Sequence, residues 1–334
     1  MKRYALVLMI FSSLFSQQSA QKTIGTIHRH DALADELIPA EARIEVLAQG
    51  FDWSEGPVWV KQERVLLFND IPQNTTWQWH ETQGLSIFLR PAGYAIGTQP
   101  PGKELGSNGL AVHPQTGRII FCDHGNRCVA ELYTDYWVKR ILVSQYNGKR
   151  LNSPNDLVIR SDGHIYFTDP PYGLKGPDYP GKELEFNGVY HLTPQGQLNL
   201  ITTELDRPNG IALSPDEKTL YVANSGKKKI WLAFDITETG TATNGRLFFD
   251  ATPISEQGKR GGCDGMAVDN QGNLWATGPG GVLVITPDAR HIATIETGVA
   301  TSNCCFGGEN GNELYITADM YLCRVKGVAR GTQF

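Results

Sequence analysis

Residues 207–225 read RPNGIALSPDEKTLYVANS. Pro208-Asn209-Gly210 is a turn, and Ile211 to Leu213 is a short apolar strand. Ser214-Pro215-Asp216-Glu217 is a second turn, and Thr219 to Ala223 is a second strand rich in β-formers. The same unit opens at Glu55, Asn108, Asn155, Asp264 and Asn303, so there are six copies, spaced 53, 47, 54, 55 and 39 residues apart. An all-strand repeat of about 40–50 residues is the mark of a β-propeller blade. The expected fold is therefore all-β: a six-bladed β-propeller.

A propeller blade is four antiparallel strands around a central channel. Its first strand lines the channel, so the six openers form a ring at one mouth. The second strand runs back to that mouth. This predicts Asp70, Asp123, Asp169 and Asn224 on the same rim, 15, 15, 14 and 15 residues past their openers. The last blade has strands near residues 313–317 and 321–325 and is then one strand short. The strand expected at Arg43–Ala48 has no blade of its own and is assigned to complete the last one, which closes the ring and removes a free sheet edge. Two insertions rich in Gly and Pro, 93–107 and 170–187, belong to the same face. The second has the length of a lid or binding loop and carries Tyr172 and Tyr179, either to stack on a ligand or to pack the loop on itself.

The chain has 334 residues, a net charge of −5, 40% hydrophobic and 19% charged residues. That is ordinary for a globular protein and offers no case for a nucleic-acid partner. Residues 1–20 read as a secretory signal peptide. A basic Lys2-Arg3 precedes an apolar run too short to cross a bilayer, and small residues end at Ala20. Residues 21–334 then form one domain, periplasmic or secreted, with no membrane association after cleavage. Six cysteines would sit in an oxidising compartment. Cys122 and Cys128 flank a tight turn and suggest a cross-hairpin bond, the alternative being small buried apolar residues. His28-Arg29-His30 is expected to be a mobile polar tail.

Each Asn-Gly or Asp-Gly taken alone is a turn signal. Together they place two carboxylates, Glu55 and Asp264, at one mouth beside several carboxamides. Like charges so close are unfavourable unless a cation joins them. An all-oxygen donor set without thiolate or imidazole suits Ca²⁺, with Mg²⁺, Mn²⁺ or Zn²⁺ as other occupants. One cation with open positions polarises an ester carbonyl. There is no G-x-S-x-G elbow, no P-loop and no histidine beside Ser107, Ser153 or Ser302. Metal-assisted hydrolysis with activated water is the expected chemistry, with Asp264 or another rim carboxylate as proton acceptor.

The runs Glu55-Gly-Pro-Val-Trp59, Ser153-Pro-Asn-Asp-Leu157, Pro208-Asn-Gly-Ile211 and Asp264-Gly-Met266 resemble the gluconolactonase and senescence-marker-protein (regucalcin) family of six-bladed propellers. The bacterial sugar-lactonase branch is similar through His124-Gly-Asn-Arg127, the run 149–156 and Phe167-Thr-Asp-Pro-Pro-Tyr-Gly173. The resemblance covers residues 37–325. It implies one divalent metal, commonly calcium, held by Glu55, Asn155, Asn209 and Asp264. It also implies that Asn155 faces substrate and that Asp264 serves as general base. Cys263 stands where proline is common, and Ser153 where animal members carry an arginine, so the animal substrate contacts do not transfer.

The leading expectation is hydrolysis of a sugar lactone such as D-glucono-1,5-lactone to gluconate, with Asn108, Asn155, Asp169, His124 and Tyr172 contacting substrate. The rim residues have an equal alternative as caps between strands. Two other readings stand beside this one: a lactonase or phosphotriesterase for non-sugar substrates, which would want an apolar cleft, and a non-catalytic propeller that binds calcium and a ligand.

Overall fold

A computed structural model describes residues 21–94, 102, 104–176 and 179–332. The signal peptide expected at 1–20 lies outside the described residues, as do parts of both insertions.

The described strands form six antiparallel sheets around a channel, with one further two-stranded hairpin. The sheets follow chain order, each running from the channel outward. The inner strands Ser54–Val60, Ser107–Val112, Leu157–Ile159, Pro208–Leu213, Met266–Val268 and Asn303–Gly307 neighbour one another in a closed circle. The sixth sheet is completed by Ile44–Gln49, which pairs antiparallel with Tyr321–Lys326. This is the ring closure expected from the missing strand.

Six apolar clusters occupy the gaps between consecutive blades. Val58, Leu67, Leu110 and Phe121 join blades one and two, while Phe68, Trp79, Tyr315 and Leu322 join blade one to blade six. Trp59 stacks on Tyr315 across that last junction, with ring centroids 5.5 Å apart. The same junction holds Arg324, 4% exposed. Its guanidinium donates to Glu45 at 2.9 Å and Glu313 at 3.1 Å, and also pairs with Glu81 of blade one. The closing strand, the last blade and the first blade therefore meet at one buried cation.

The N-terminal segment is not a tail. Thr26–Arg29 pairs with His291–Glu296 as a fifth strand of blade five, and Thr23–Ile24 adds a fifth strand to blade six. His28 contacts Glu296 at 2.8 Å, and His30 contacts Thr294 at 3.1 Å. The polar run covers sheet edges that would otherwise be open. The expected cross-hairpin disulfide is also absent, because all six cysteines are free. Cys122 lies opposite Val129 and Cys128 opposite Asp123, so the two thiols project from opposite faces of their sheet.

In blade three, His191 is buried and its Nε2 lies 2.5 Å from His164 Nδ1. Burial and the neighbouring His164 lower the His191 pKa to about 4. Above about pH 6.5 both the folded and unfolded imidazoles are neutral. Between 6.5 and 4 only the unfolded chain takes the proton, at a cost of about 1.4 kcal/mol per pH unit.

Two predictions follow from this packing. Arg324→Met leaves Glu45 and Glu313 without their cation and is expected to cost about 3–5 kcal/mol in denaturant unfolding. His191→Gln is expected to narrow its stability deficit against the native protein as pH falls from 6.5 to 5, read by thermal unfolding at each pH. A constant difference would mean that His191 does not titrate with unfolding.

Candidate active site at one channel mouth

Local geometry explains why the openers aim inward. The pairing of inner and second strands is irregular between Glu55 and Val58, between Ser107 and Leu110, and between Pro208 and Ile211. In blades three and five the inner strand begins only after the opener, at Leu157 and Met266. Such irregularities re-aim a side chain away from the ordinary pleat. In blades one, two, four and five a glycine follows the opener and makes room for this, whereas Asp156 and Cys304 follow it in blades three and six. A Cβ on Gly210 would lie 2.1 Å from the Asp264 carbonyl oxygen, and one on Gly56 would lie 2.0 Å from that of Asn108. Only glycine permits inner strands so close.

Polar side chains of the second strands tie the ring together. Asn69 donates to the Asn108 carbonyl at 2.5 Å, and Thr168 donates to that of Asn209 at 2.7 Å. Each bond runs from one blade to the opener of the next.

Glu55, Asn155 and Asn209 are buried, and Asp264 keeps part of its surface at the mouth. Glu55 accepts from the Gly56 amide at 2.8 Å. Burial raises its pKa, against the pull of that amide and with a push from Asp156. Burial likewise raises the pKa of Asp264, and Glu55 adds to it by repulsion. The two carboxylates from blades one and five thus share one site. Asn209 comes between them in chain order with a fixed amide. Ser225 Oγ donates to the Cys263 carbonyl and therefore accepts from Asn209 Nδ2, at 2.8 Å. This leaves Asn209 Oδ1 buried with no donor among the described residues, and Asn108 Oδ1 is in the same condition. Buried carbonyl oxygens without a donor, beside two carboxylates that resist ionisation, fit a hard divalent cation. Among the described residues no three His, Cys, Asp or Glu side chains gather into a site.

The sixth opener behaves differently. Asn303 donates to Asp156 Oδ2 at 3.3 Å across the channel and also bonds Glu55. Asp156 is itself buried, with its pKa raised by that burial to about 7. Beyond this Asp156–Asn303 bridge, a cavity of about 880 Å³ runs toward the far face, lined there by residues such as Lys61, His113, Ser161 and Glu217. None of Glu55, Asn155, Asn209 or Asp264 lines it. The bridge separates the site from that cavity, and nothing in the sequence pattern singled out Asp156 for the purpose.

The four residues expected on the rim are buried caps. Asp70 accepts from the amides of Asp52 and Trp53, Asp169 from Asn152 at 2.7 Å, and Asn224 from Arg207 at 2.9 Å. Each grips the chain just before an opener. Asp123 instead accepts from Asn126 and from Lys139 Nζ at 3.1 Å. Asp169 is fully buried, and burial raises its pKa to about 7, so it supports Asn155 from behind where substrate contact was expected.

Tyr172 does reach the site. Its hydroxyl lies within bonding reach of Ser225 and Asn209, and burial, then Asp264, raises its pKa to about 12. Its ring lies 5.7 Å from the Arg207 guanidinium. The loop that carries it is anchored at its base, where Ser153 Oγ donates to the Pro170 carbonyl and accepts from the Gly173 amide at 2.9 Å. Arg127 donates to the Gly181 carbonyl at 2.8 Å, and Tyr179 packs back on Gly181 and Lys175. His124 is buried beneath Gly173, with Nε2 3.5 Å from Asn108 Nδ2.

The sequence model of the SMP-30/gluconolactonase/LRE-like region matches residues 53–319. The chain belongs to that family. It is 43% identical to a gluconolactonase of Zymomonas mobilis over 91% of this chain and 86% of that one. Human regucalcin is 26% identical over 81% of this chain and 85% of its own. A solved gluconolactonase structure from Xanthomonas campestris superposes with a TM-score of 0.79 at 32% identity, covering 91% of this chain and 97% of that one. A regucalcin from Agrobacterium tumefaciens, described as calcium-binding, shares the fold with a TM-score of 0.66 at 18% identity, over 85% of this chain and 93% of that one.

The Asn209 amide gives this geometry a direct check. Ser225→Ala removes the acceptor that orients it, so Ca²⁺ affinity measured by calorimetry is expected to fall about tenfold with little change in thermal midpoint. Unchanged affinity would show that Ser225 does not set the amide.

Proposed function

We propose that the protein is a metal-dependent sugar lactonase that hydrolyses an aldonolactone such as D-glucono-1,5-lactone to the acid, as the Zymomonas relative is named for. The observation that carries this reading is the pairing of Glu55, which is buried, with Asp264, whose proton affinity burial and Glu55 both raise, at a mouth that also holds donor-free carboxamide oxygens. Glu55, Asn155, Asn209 and Asp264 would hold the cation. Ca²⁺ is favoured by the oxygen-only set, ahead of Mg²⁺, Mn²⁺ or Zn²⁺. Bound there, it supplies Lewis acidity toward an ester carbonyl.

The chain's own residues do the rest. Asp264 keeps an accessible edge at the mouth and takes the proton of the attacking water on its carboxylate. Tyr172 flanks the mouth, where it orients the lactone ring and its hydroxyls. The loop anchored by Ser153 walls one side. The polar lining suits a sugar better than an apolar lactone or phosphotriester. The apolar run after Lys2-Arg3 supports export to the periplasm or medium.

The test is lactone hydrolysis followed by acid release, with and without chelator, across glucono-, galactono- and aromatic lactones. Chelator-sensitive turnover of the aldonolactones is expected. Asp264→Asn is expected to lose at least about a hundredfold in kcat while remaining folded. Turnover indifferent to chelator would remove the cation from the mechanism, and near-normal turnover in Asp264→Asn would remove that carboxylate as base.

A further inference from the structure

Glu104 lies on the segment that leads into the inner strand of blade two, and no motif marks it. Its carboxylate Oε2 sits 2.9 Å from His124 Nδ1. It is also close enough to Glu55 and Asp264 to raise the pKa of both. His124 has no exposed side-chain surface, and a Cβ on Gly173 above it would lie 2.8 Å from its own Cβ. The imidazole therefore cannot reach a ligand in the mouth. It reaches Asn108 instead, with Nε2 3.5 Å from Asn108 Nδ2.

These contacts have a definite polarity. A carboxylate accepts only, so the Glu104 contact puts the His124 proton on Nδ1. Nε2 is then an acceptor and draws the amino side of the Asn108 amide. The other side, Oδ1, is left buried without a donor. Asn209 is set in the same way by Ser225, and its Oδ1 is also donor-free. Two carboxamides from blades two and four thus have their nitrogens held by neighbours, His124 and Ser225, and their oxygens left donor-free.

We propose that Glu104, acting through the His124 tautomer, is a positioning residue that turns the Asn108 carbonyl oxygen into the channel mouth as a further donor to the divalent cation. This rests on the proposed cation site. Glu104 itself is not a ligand. Its role is to fix which atom Asn108 presents.

The test compares Glu104→Ala, Glu104→Gln and Asn108→Ala in the full mature chain. Ca²⁺ affinity is measured by calorimetry, and the His124 tautomer by nitrogen-15 NMR of the metal-free protein. Glu104→Gln removes the charge but keeps a carbonyl acceptor for Nδ1–H. The expected results are an Nδ1–H tautomer in the native protein and in Glu104→Gln, lost in Glu104→Ala. Ca²⁺ affinity is expected to fall about tenfold in Glu104→Ala and in Asn108→Ala, but within about threefold of native in Glu104→Gln. The Glu104→Ala/Asn108→Ala double variant is expected to be no weaker than either single one. If Glu104→Gln weakens Ca²⁺ as much as Glu104→Ala, the effect is charge alone and the relay is wrong. Additive losses in the double variant, or an unchanged tautomer in Glu104→Ala, also overturn it. Native protein that takes up no Ca²⁺ would sink the cation site itself, a result distinct from these.

Discussion

Glu55 on blade one and Asp264 on blade five share a channel mouth in which burial opposes the charge of each and Glu55 adds its repulsion against Asp264. Repulsion between enclosed carboxylates is costly, and a fold keeps it only when something else relieves it. The surrounding structure can be understood from that constraint. The amides of Asn108 and Asn209 turn their nitrogens to His124 and Ser225 and keep their buried oxygens free of donors among the described residues. Among the described residues, the direct donors to Glu55 are the Gly56 amide and Asn303. A site arranged to neutralise itself would instead have placed an arginine or lysine there.

Precision at the mouth comes from the level below it. The residues that end the second strands, Asp70, Asp169 and Asn224, are buried and hold the backbone immediately ahead of Glu55, Asn155 and Asn209. Bonds from Asn69 and Thr168 to the next opener carry the constraint around the circle. An opener is therefore fixed by its own blade and by the one before it. Rigid elements of this kind place donors better than loops do.

The repeat was readable because every blade needs the same turn chemistry at the same point, and because the openers differ from ordinary turns in their joint polarity. The missing strand was readable because the last blade had only three. Reading failed where a residue's role depends on a partner distant in sequence. Glu104 meets His124 only because the segment leading into blade two passes a turn inside that blade, and Arg324 meets Glu45 and Glu81 only when the ring closes. The run at 26–29 is polar enough to pass for a tail, yet its register against His291–Glu296 makes it a strand. Asp169 was expected to contact sugar because its position on the channel face is correct. What the sequence could not show is that Asp169 is fully buried, with the Asn152 amide on its Oδ2.

The circle is fastened by the first strands of the chain lying against the last ones, Ile44–Gln49 on Tyr321–Lys326 and Thr26–Arg29 on His291–Glu296. A polypeptide that emerges amino end first must therefore keep Thr26–Arg29 unpaired until blade five has been made, and Ile44–Gln49 until the last blade has. Contacts so remote along the chain are slow to find and leave edges exposed while they wait. The velcro of the folded protein is thus also its latest-forming seam, closed only once nearly the whole chain is available.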